Sequence, residues 1–325
     1  MTDIMEVIPT RFKNIAMDNN SAYTFEQLNE TVFLIQFFDH LKEILGNSFE
    51  EYQFYIYANI DSNILPASLS IKSTKKVLLF LSNQNHEINE GLPGNYFAVF
   101  KCHLPADIVR ERIFHFPLGY VKDTKHHPVK KIEQRKYKVF FSGNLNKGRV
   151  SLYKVLSNSI IPDIIYRQLM KVFKRVPSLI KRDFSSRFPS SYVHFTNGFK
   201  KGLDSEAYSQ ILYESQIVLC PKGFLRAETY RHFEAMRAGC VIVSEKLPNT
   251  YLYRDSPIIQ TDSWKEGIEY AQKLINDPTL LAHQHKETLK WWDTVCNEVS
   301  TARRVADVLR SLKEVNVRPK EVKSL

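Results

Sequence analysis

The chain has 325 residues, 43% hydrophobic and 25% charged, with only 11 Gly. These proportions suit a globular protein with material for two domains, and they exclude collagen-like, low-complexity and disordered chains. A net charge of +10 favours anionic partners, and the four scattered cysteines (Cys102, Cys220, Cys240, Cys296) form no Cys-x-x-Cys pair, which excludes a zinc ribbon or disulfide scaffold. No apolar run approaches the length of a bilayer span. The opening MTDIMEVIPTRFKN lacks a charged stretch followed by an apolar one, so a soluble, cytoplasmic protein is expected.

In chain order, residues 31–45 place apolar side chains at helical spacing and close at Gly46, which predicts a helix. The aromatic run 52–57 predicts a strand. So do the buried-type runs 76–81 (KVLLFL) and 96–100 (YFAVF), and 113–118 reads as a short extended segment. The loop 82–94 is polar and turn-rich and carries His86, Glu87 and Glu90 just after a strand. Asp61 sits in the turn after an earlier strand. The polar stretch 122–134, with Pro128, marks a domain boundary, and its His126 and His127 read as exposed linker residues.

Beyond it, 137–142 (YKVFFS) predicts a strand, then GNLNKGR, then a helix over 150–156. Residues 167–187 interleave Arg167, Lys171, Lys174, Arg175, Lys181, Arg182 and Arg187 with apolar side chains. That pattern fits either a basic amphipathic surface on an anionic membrane or a solvated helix face. A strand over 192–196, a helix over 204–213 with Asp204 as N-cap, and helices over 263–275, 278–296 and 301–312 complete the chain. The last thirteen residues read as a frayed polar tail.

Residues 217–243 read IVLCPKGFLRAETYRHFEAMRAGCVIV. An apolar run yields to a Pro-Lys-Gly turn, a helix that Gly239 stops, and a second apolar run. This is a parallel α/β unit. Such units bind ligands where a strand's carboxyl end meets the next helix's amino end, and free N–H groups there favour anions. Arg231 and Glu234 lie three apart on one helix face, one suited to a phosphate and the other to paired ribose hydroxyls. The run from Gly143 to Gly148 has the spacing of a Walker loop, but Arg149 and Val150 replace the Lys and Ser/Thr, so an ATPase reading fails. A glycine turn followed by Arg149 at a helix start remains a good anion site. No GxGxxG, HExxH or Asp-x-Asp pair occurs.

These two elements resemble those of exostosin-type glycosyltransferases. That family's strand, Cys-Pro-Arg-Gly, Ser-x-Arg-x-x-Glu-Ala helix and Gly-Cys-x-x-Val-Ile match Cys220, Pro221, Lys222, Gly223, Thr229, Arg231, Glu234, Ala235, Gly239 and Cys240. Its Phe-Phe-Ala-Gly element matches Phe140, Phe141, Ser142, Gly143 and Asn144, with Gly148 and Arg149 opening the helix. Lys222 replaces Arg and Thr229 replaces Ser, and the former loses the bidentate fork. The resemblance covers residues 137–278.

It implies an α/β chain of GT-B architecture, with two Rossmann-like domains facing a cleft and a helical C-terminus. Residues 1–128 would bind the acceptor and 135–300 the nucleotide sugar. Residues 301–325 would be a helix packing back on the first domain, with a polar tail. The implied reaction moves a sugar from a nucleoside-diphosphate donor, UDP by preference, to a hydroxyl of a glycan or glycolipid. It would invert the anomeric carbon without metal or cofactor. Gly143, Asn144, Arg149, Lys222, Gly223, Thr229, Arg231 and Glu234 would hold the donor, with Glu87 or His86 as general base. Two rival readings are a retaining enzyme, with Glu228 and Glu234 on one helix around a ribose and phosphate site, and a non-catalytic binder of anionic glycan or nucleic acid. On the first reading nucleic acid is not a partner, and the enzyme is a bacterial-type cytoplasmic protein docking at the inner face of the cell membrane.

Overall fold

The structure is a computed structural model that describes residues 11–18, 21–59, 75–82, 84, 95–106, 112–162, 164–166, 168, 181–196, 198 and 201–317. Candidate residues Asp61, His86, Glu87 and Glu90, and most of the basic segment 167–187, lie outside them. The chain divides into two units, one formed by residues 1–117 and 295–325, the other by 118–294.

The first unit opens with strand β1 (Ile15–Met17) and helix α1 (Thr31–Leu45). Strands β2 (Gln53–Ala58), β3 (Lys76–Leu81), β4 (Ala98–Lys101) and β5 (Ile113–His115) follow. All pair in parallel in the order β1-β2-β3-β4-β5. Every residue of β3 is buried, as expected of a central parallel strand covered on both faces. On one face α1 seats Phe33, Leu34, Phe37, Phe38 and Leu41, all fully buried at helical spacing. Their rings meet Phe54 (5.6 Å from Phe38) and Phe116 (5.1 Å from Phe37) edge-on, the favoured aromatic geometry.

The second unit runs through strand β6 (Tyr137–Asn144), helix α2 (Val150–Ser157), β7 (Tyr192–Thr196) and α3 (Ser205–Tyr213). It continues with β8 (Ser215–Cys220), α4 (Tyr230–Arg237), β9 (Val241–Glu245), β10 (Ile259–Thr261), α5 (Trp264–Asn276) and α6 (Pro278–Trp291). The parallel sheet has the order β10-β9-β8-β6-β7. Asp204 caps α3 by accepting from the Ala207 N–H at 2.7 Å, and the four cysteines are buried thiols. The expected helix 278–296 is α6 followed by a π-helical turn, Trp292–Cys296.

The division falls before the polar stretch 122–134, not within it. Thr124 donates to Glu234 (2.9 Å), Lys125 N–H donates to Ser209 Oγ (2.8 Å) and His126 Nδ1 bonds the Tyr213 hydroxyl (2.8 Å). His126 and His127 are therefore not free linker residues, since both rings stand edge-on to Tyr213. The last helix, α7 (Glu298–Val317), starts earlier than 301 and belongs to the first unit. Ala302, Val305, Ala306 and Leu309 form its buried stripe, and Arg310 donates to the Ile44 carbonyl of α1 at 2.7 Å.

Gly239 ends α4 at φ +66°, where an L side chain is strained, and an added Cβ would lie 2.7 Å from Leu289. Its carbonyl accepts from His285 at 2.6 Å, which holds α6 against this turn. Gly239→Ala should therefore cost about 2–4 kcal/mol, from left-handed strain and overpacking together. Urea unfolding measures this, and an unchanged midpoint would show that the turn relaxes freely.

Candidate functional site

Strand order in the second unit reverses between β6 and β8, with β7 on one side of β6 and β8 on the other. Connections leave such a pair in opposite directions and open a crevice at the carboxyl ends, the usual ligand position of a doubly wound sheet. The described strands of the first unit run in sequential order and show no such reversal.

Two loops flank the crevice. In the loop after β6, Asn146 accepts from the Gly148 N–H at 2.8 Å and caps the turn that feeds α2. In the loop after β8, Gly223 faces Gly148, and a Cβ on Gly148 would sit 2.5 Å from the Gly223 carbonyl. Only glycine at 148 permits that approach, which accounts for the glycine in the first motif.

Two guanidinium groups converge here. Arg149 donates from Nη1 to the Asn144 carbonyl (2.7 Å) and from Nε to the Lys222 carbonyl (3.3 Å). Arg231, in the first turn of α4, donates from Nη2 to the Ser142 carbonyl, and its Nε is buried with no acceptor. A Cβ on Gly143 would lie 2.7 Å from Arg149 Nη1 and 3.1 Å from Arg231 Nη2, so both cations meet over the bare Cα. The Phe141 ring lies near both, 5.8 Å and 4.9 Å from centroid to guanidinium carbon.

Neither arginine forms an ion pair among the described residues. Burial, and then the charge of Arg231, push the Arg149 pKa down to about 9. Like charges ~5 Å apart repel by on the order of 3 kcal/mol at an effective dielectric of ~20. Backbone carbonyls and the Tyr208 hydroxyl engage part of the two forks, and the carboxylates of Glu234 and Glu245 act on Arg231 and Arg149 without forming an ion pair.

The structure thus brings together Gly143, Asn144, Arg149, Lys222, Gly223 and Arg231. Thr229 is the N-cap of α4, with its N–H (3.2 Å) and hydroxyl (3.1 Å) both at His232 Nδ1, so its hydroxyl serves the helix end. Glu234 departs from the ribose role expected of it. It is 4% exposed, and its carboxylate already accepts from Thr124 Oγ1 (2.9 Å), the Val121 N–H (3.4 Å) and the Tyr208 hydroxyl (2.8 Å). Glu228 lies before α4, not on the helix of Glu234, and is buried with the Tyr253 hydroxyl at 2.6 Å.

Four further residues shape the site. Ser142 supplies the carbonyl that holds Arg231, and Tyr208 bonds both Arg231 and Glu234. Glu245 ends β9, accepts from Trp264 Nε1 at 2.7 Å, and has a pKa raised by burial in spite of the neighbouring Lys222 charge. A polar residue closing an apolar strand beside the anion loops is the sequence signal that marks it. His232 is fully buried, and its Nε2 bonds Ser244 Oγ on β9 at 2.8 Å. Among the described residues no group of three or more His, Cys, Asp and Glu is placed to hold a metal ion. No described helix is long and apolar enough to cross a membrane.

No known family profile matches the chain, and no curated relative does. Solved structures do resemble it in layout. A DNA-modifying β-glucosyltransferase, solved with and without uridine diphosphoglucose, is 12% identical over 92% of this chain and 98% of its own, with a TM-score of 0.47. An α-glucosyltransferase in complex with UDP and a 13-mer DNA containing an HMU base is 13% identical over 86% and 84%, with a TM-score of 0.46. The S. aureus MnaA–UDP complex is 10% identical over 92% and 83%, with a TM-score of 0.41. At such identities and scores the likeness concerns chain layout alone.

Burial pushes the His232 pKa down to about 4, so in the folded protein the ring is neutral. The unfolded chain takes up this proton first, near pH 6.5. The contribution is therefore fully present above about pH 6.5 and is lost as pH falls toward about 4. Between pH 7 and pH 5 the protein should lose about 2 kcal/mol that His232→Gln does not lose. Equal pH dependence of the two unfolding curves would show that His232 is reached by solvent.

Proposed function

We propose that this protein is a glycosyltransferase that moves a sugar from a nucleoside-diphosphate donor to a hydroxyl of a glycan or glycolipid. The observation that carries the reading is the pair of guanidinium groups over Gly143, without a carboxylate partner, at the strand-order reversal. A diphosphate supplies the missing charge at the place where doubly wound sheets bind nucleotides. The exostosin resemblance makes UDP the first carrier to test.

In the reaction the acceptor oxygen bonds to the anomeric carbon as the bond from that carbon to the diphosphate oxygen breaks. Charge grows on the departing diphosphate, and Arg149, Arg231 and Lys222 stabilise it where it develops. The acceptor proton passes to a general base, for which the loop 82–94 with His86 and Glu87 is the proposed source. Three protein cations around the diphosphate favour a metal-independent mechanism. The occupied carboxylates of Glu228 and Glu234 favour inversion, because neither is presented to a sugar. The basic segment 167–187 remains the proposed contact with an anionic membrane.

Arg231→Ala should lower kcat by about 10²–10³ at saturating donor and weaken UDP binding, because the lost charge acts most strongly in the transition state. Arg231→Lys should recover only part, having charge without the fork. Titration calorimetry with UDP in excess EDTA gives the affinity, and product release gives kcat. A folded Arg231→Ala protein with unchanged values in both would overturn the diphosphate assignment.

A further inference from the structure

Away from the arginine pair, a cavity of about 390 Å³ lies between α6 and the loop that leads into β10. Its walls include Asp255, Gln284, Glu287, Lys290 and Trp291. Among the described residues, the carboxylates of Asp255 and Glu287 and the ammonium of Lys290 form no ion pair or hydrogen bond. The Gln284 side-chain oxygen accepts none either. Trp291 donates its indole N–H to the Leu252 carbonyl at 3.1 Å, which fixes the ring and leaves it only apolar atoms and its π face for a ligand.

We propose that this cavity binds one or two residues of a neutral saccharide. The volume is at the small end of the range for ligand pockets, which suits a mono- or disaccharide. Unengaged carboxylate and ammonium groups in one cavity are what a ring of hydroxyls can satisfy, since each hydroxyl both donates and accepts. A fixed indole offers a flat, electron-rich face to the C–H face of a pyranose. The mixed charge selects against ions. Lys290 opposes a cation that the indole and carboxylates would otherwise attract, and Asp255 and Glu287 oppose an anion. The site is separate from the anion crevice, and the inference does not depend on the glycosyltransferase reading. If both hold, the enzyme grips a glycan at a second place, away from its donor.

The full chain would be titrated with methyl α-glucoside, maltose, cellobiose, lactose and N,N′-diacetylchitobiose. Saturation-transfer NMR and tryptophan emission are the readouts. Trp264 and Trp292 are buried (2% and 8% exposed), so a sugar-induced change in emission reports on the half-buried Trp291. At least one sugar should bind, with UDP failing to compete. Trp291→Ala should weaken it at least tenfold and abolish the emission change. Glu287→Ala and Asp255→Ala, near the surface and outside the core, should each weaken it several-fold and keep the proposal testable if Trp291→Ala fails to fold. Absence of binding by every sugar at 10 mM, binding untouched by these variants, or competition by UDP would each overturn the proposal. So would tighter, variant-sensitive binding of choline or inorganic phosphate than of any sugar.

Discussion

Two positive charges held close by backbone carbonyls and the Tyr208 hydroxyl are the constraint around which the loops after β6 and β8 are built. Ser142, Asn144 and Lys222 give their backbone oxygens to Arg149 and Arg231, and Gly143 leaves room above its Cα for both groups. The glycine at 148 lets its loop close against the Gly223 carbonyl, to the distance at which Arg149 can bridge the two loops. Tyr208 then ties Arg231 to Glu234, and Glu234 ties α4 to the segment at Val121 and Thr124. The cation pair thus stands on a hydrogen-bonded frame of its own chain.

A third guanidinium in the same unit shows why burial alone does not make a site. Arg135 is 4% exposed and also lacks a carboxylate, yet it donates to the carbonyls of Lys130, Ser215 and Ala238 and to the Cys240 thiol. Its fork is fully engaged and no second cation lies against it, so it fastens strand ends and nothing is missing. Arg231 differs on both counts, with a buried Nε lacking an acceptor and a like charge beside it. Unsatisfied hydrogen-bonding capacity together with uncompensated charge separates a ligand group from a structural one.

The sequence reading located elements well where local pattern and burial agree. Helix α1 and strands β3 and β7 lie where periodicity put them, because an apolar stripe ending at Gly46 and continuous β-branched or aromatic runs leave little choice. The closeness of Arg149, Lys222 and Arg231 was legible in part. Arg149 and Lys222 lie in the loops that follow β6 and β8, and Arg231 lies in the first turn of the helix after β8, so a parallel sheet puts all three at its carboxyl end. Glu234 was misread because its partners are distant in sequence: Tyr208 is 26 residues away and Thr124 is 110. Two residues spaced three apart on a helix do not reveal whether a carboxylate faces ligand or neighbour. The polar stretch 122–134 misled similarly, since polarity usually marks a linker, whereas here its polar groups are bonded to α3 and α4.

The same physics explains why the site can be both tightly built and waiting for a partner. Every hydrogen bond that fixes Arg149 comes from rigid backbone at strand or loop positions, so the group cannot swing away to relieve its repulsion from Arg231. Burial first, and the charge of Arg231 second, leave the proton held less firmly on Arg149. A dianion at this place would offset the repulsion between the two cations. Preorganisation of this kind favours charge that is concentrated and growing over charge that is diffuse. A leaving diphosphate has that property and a surface-bound glycan carboxylate does not, which is why the arginine pair supports a transfer enzyme better than a passive binder.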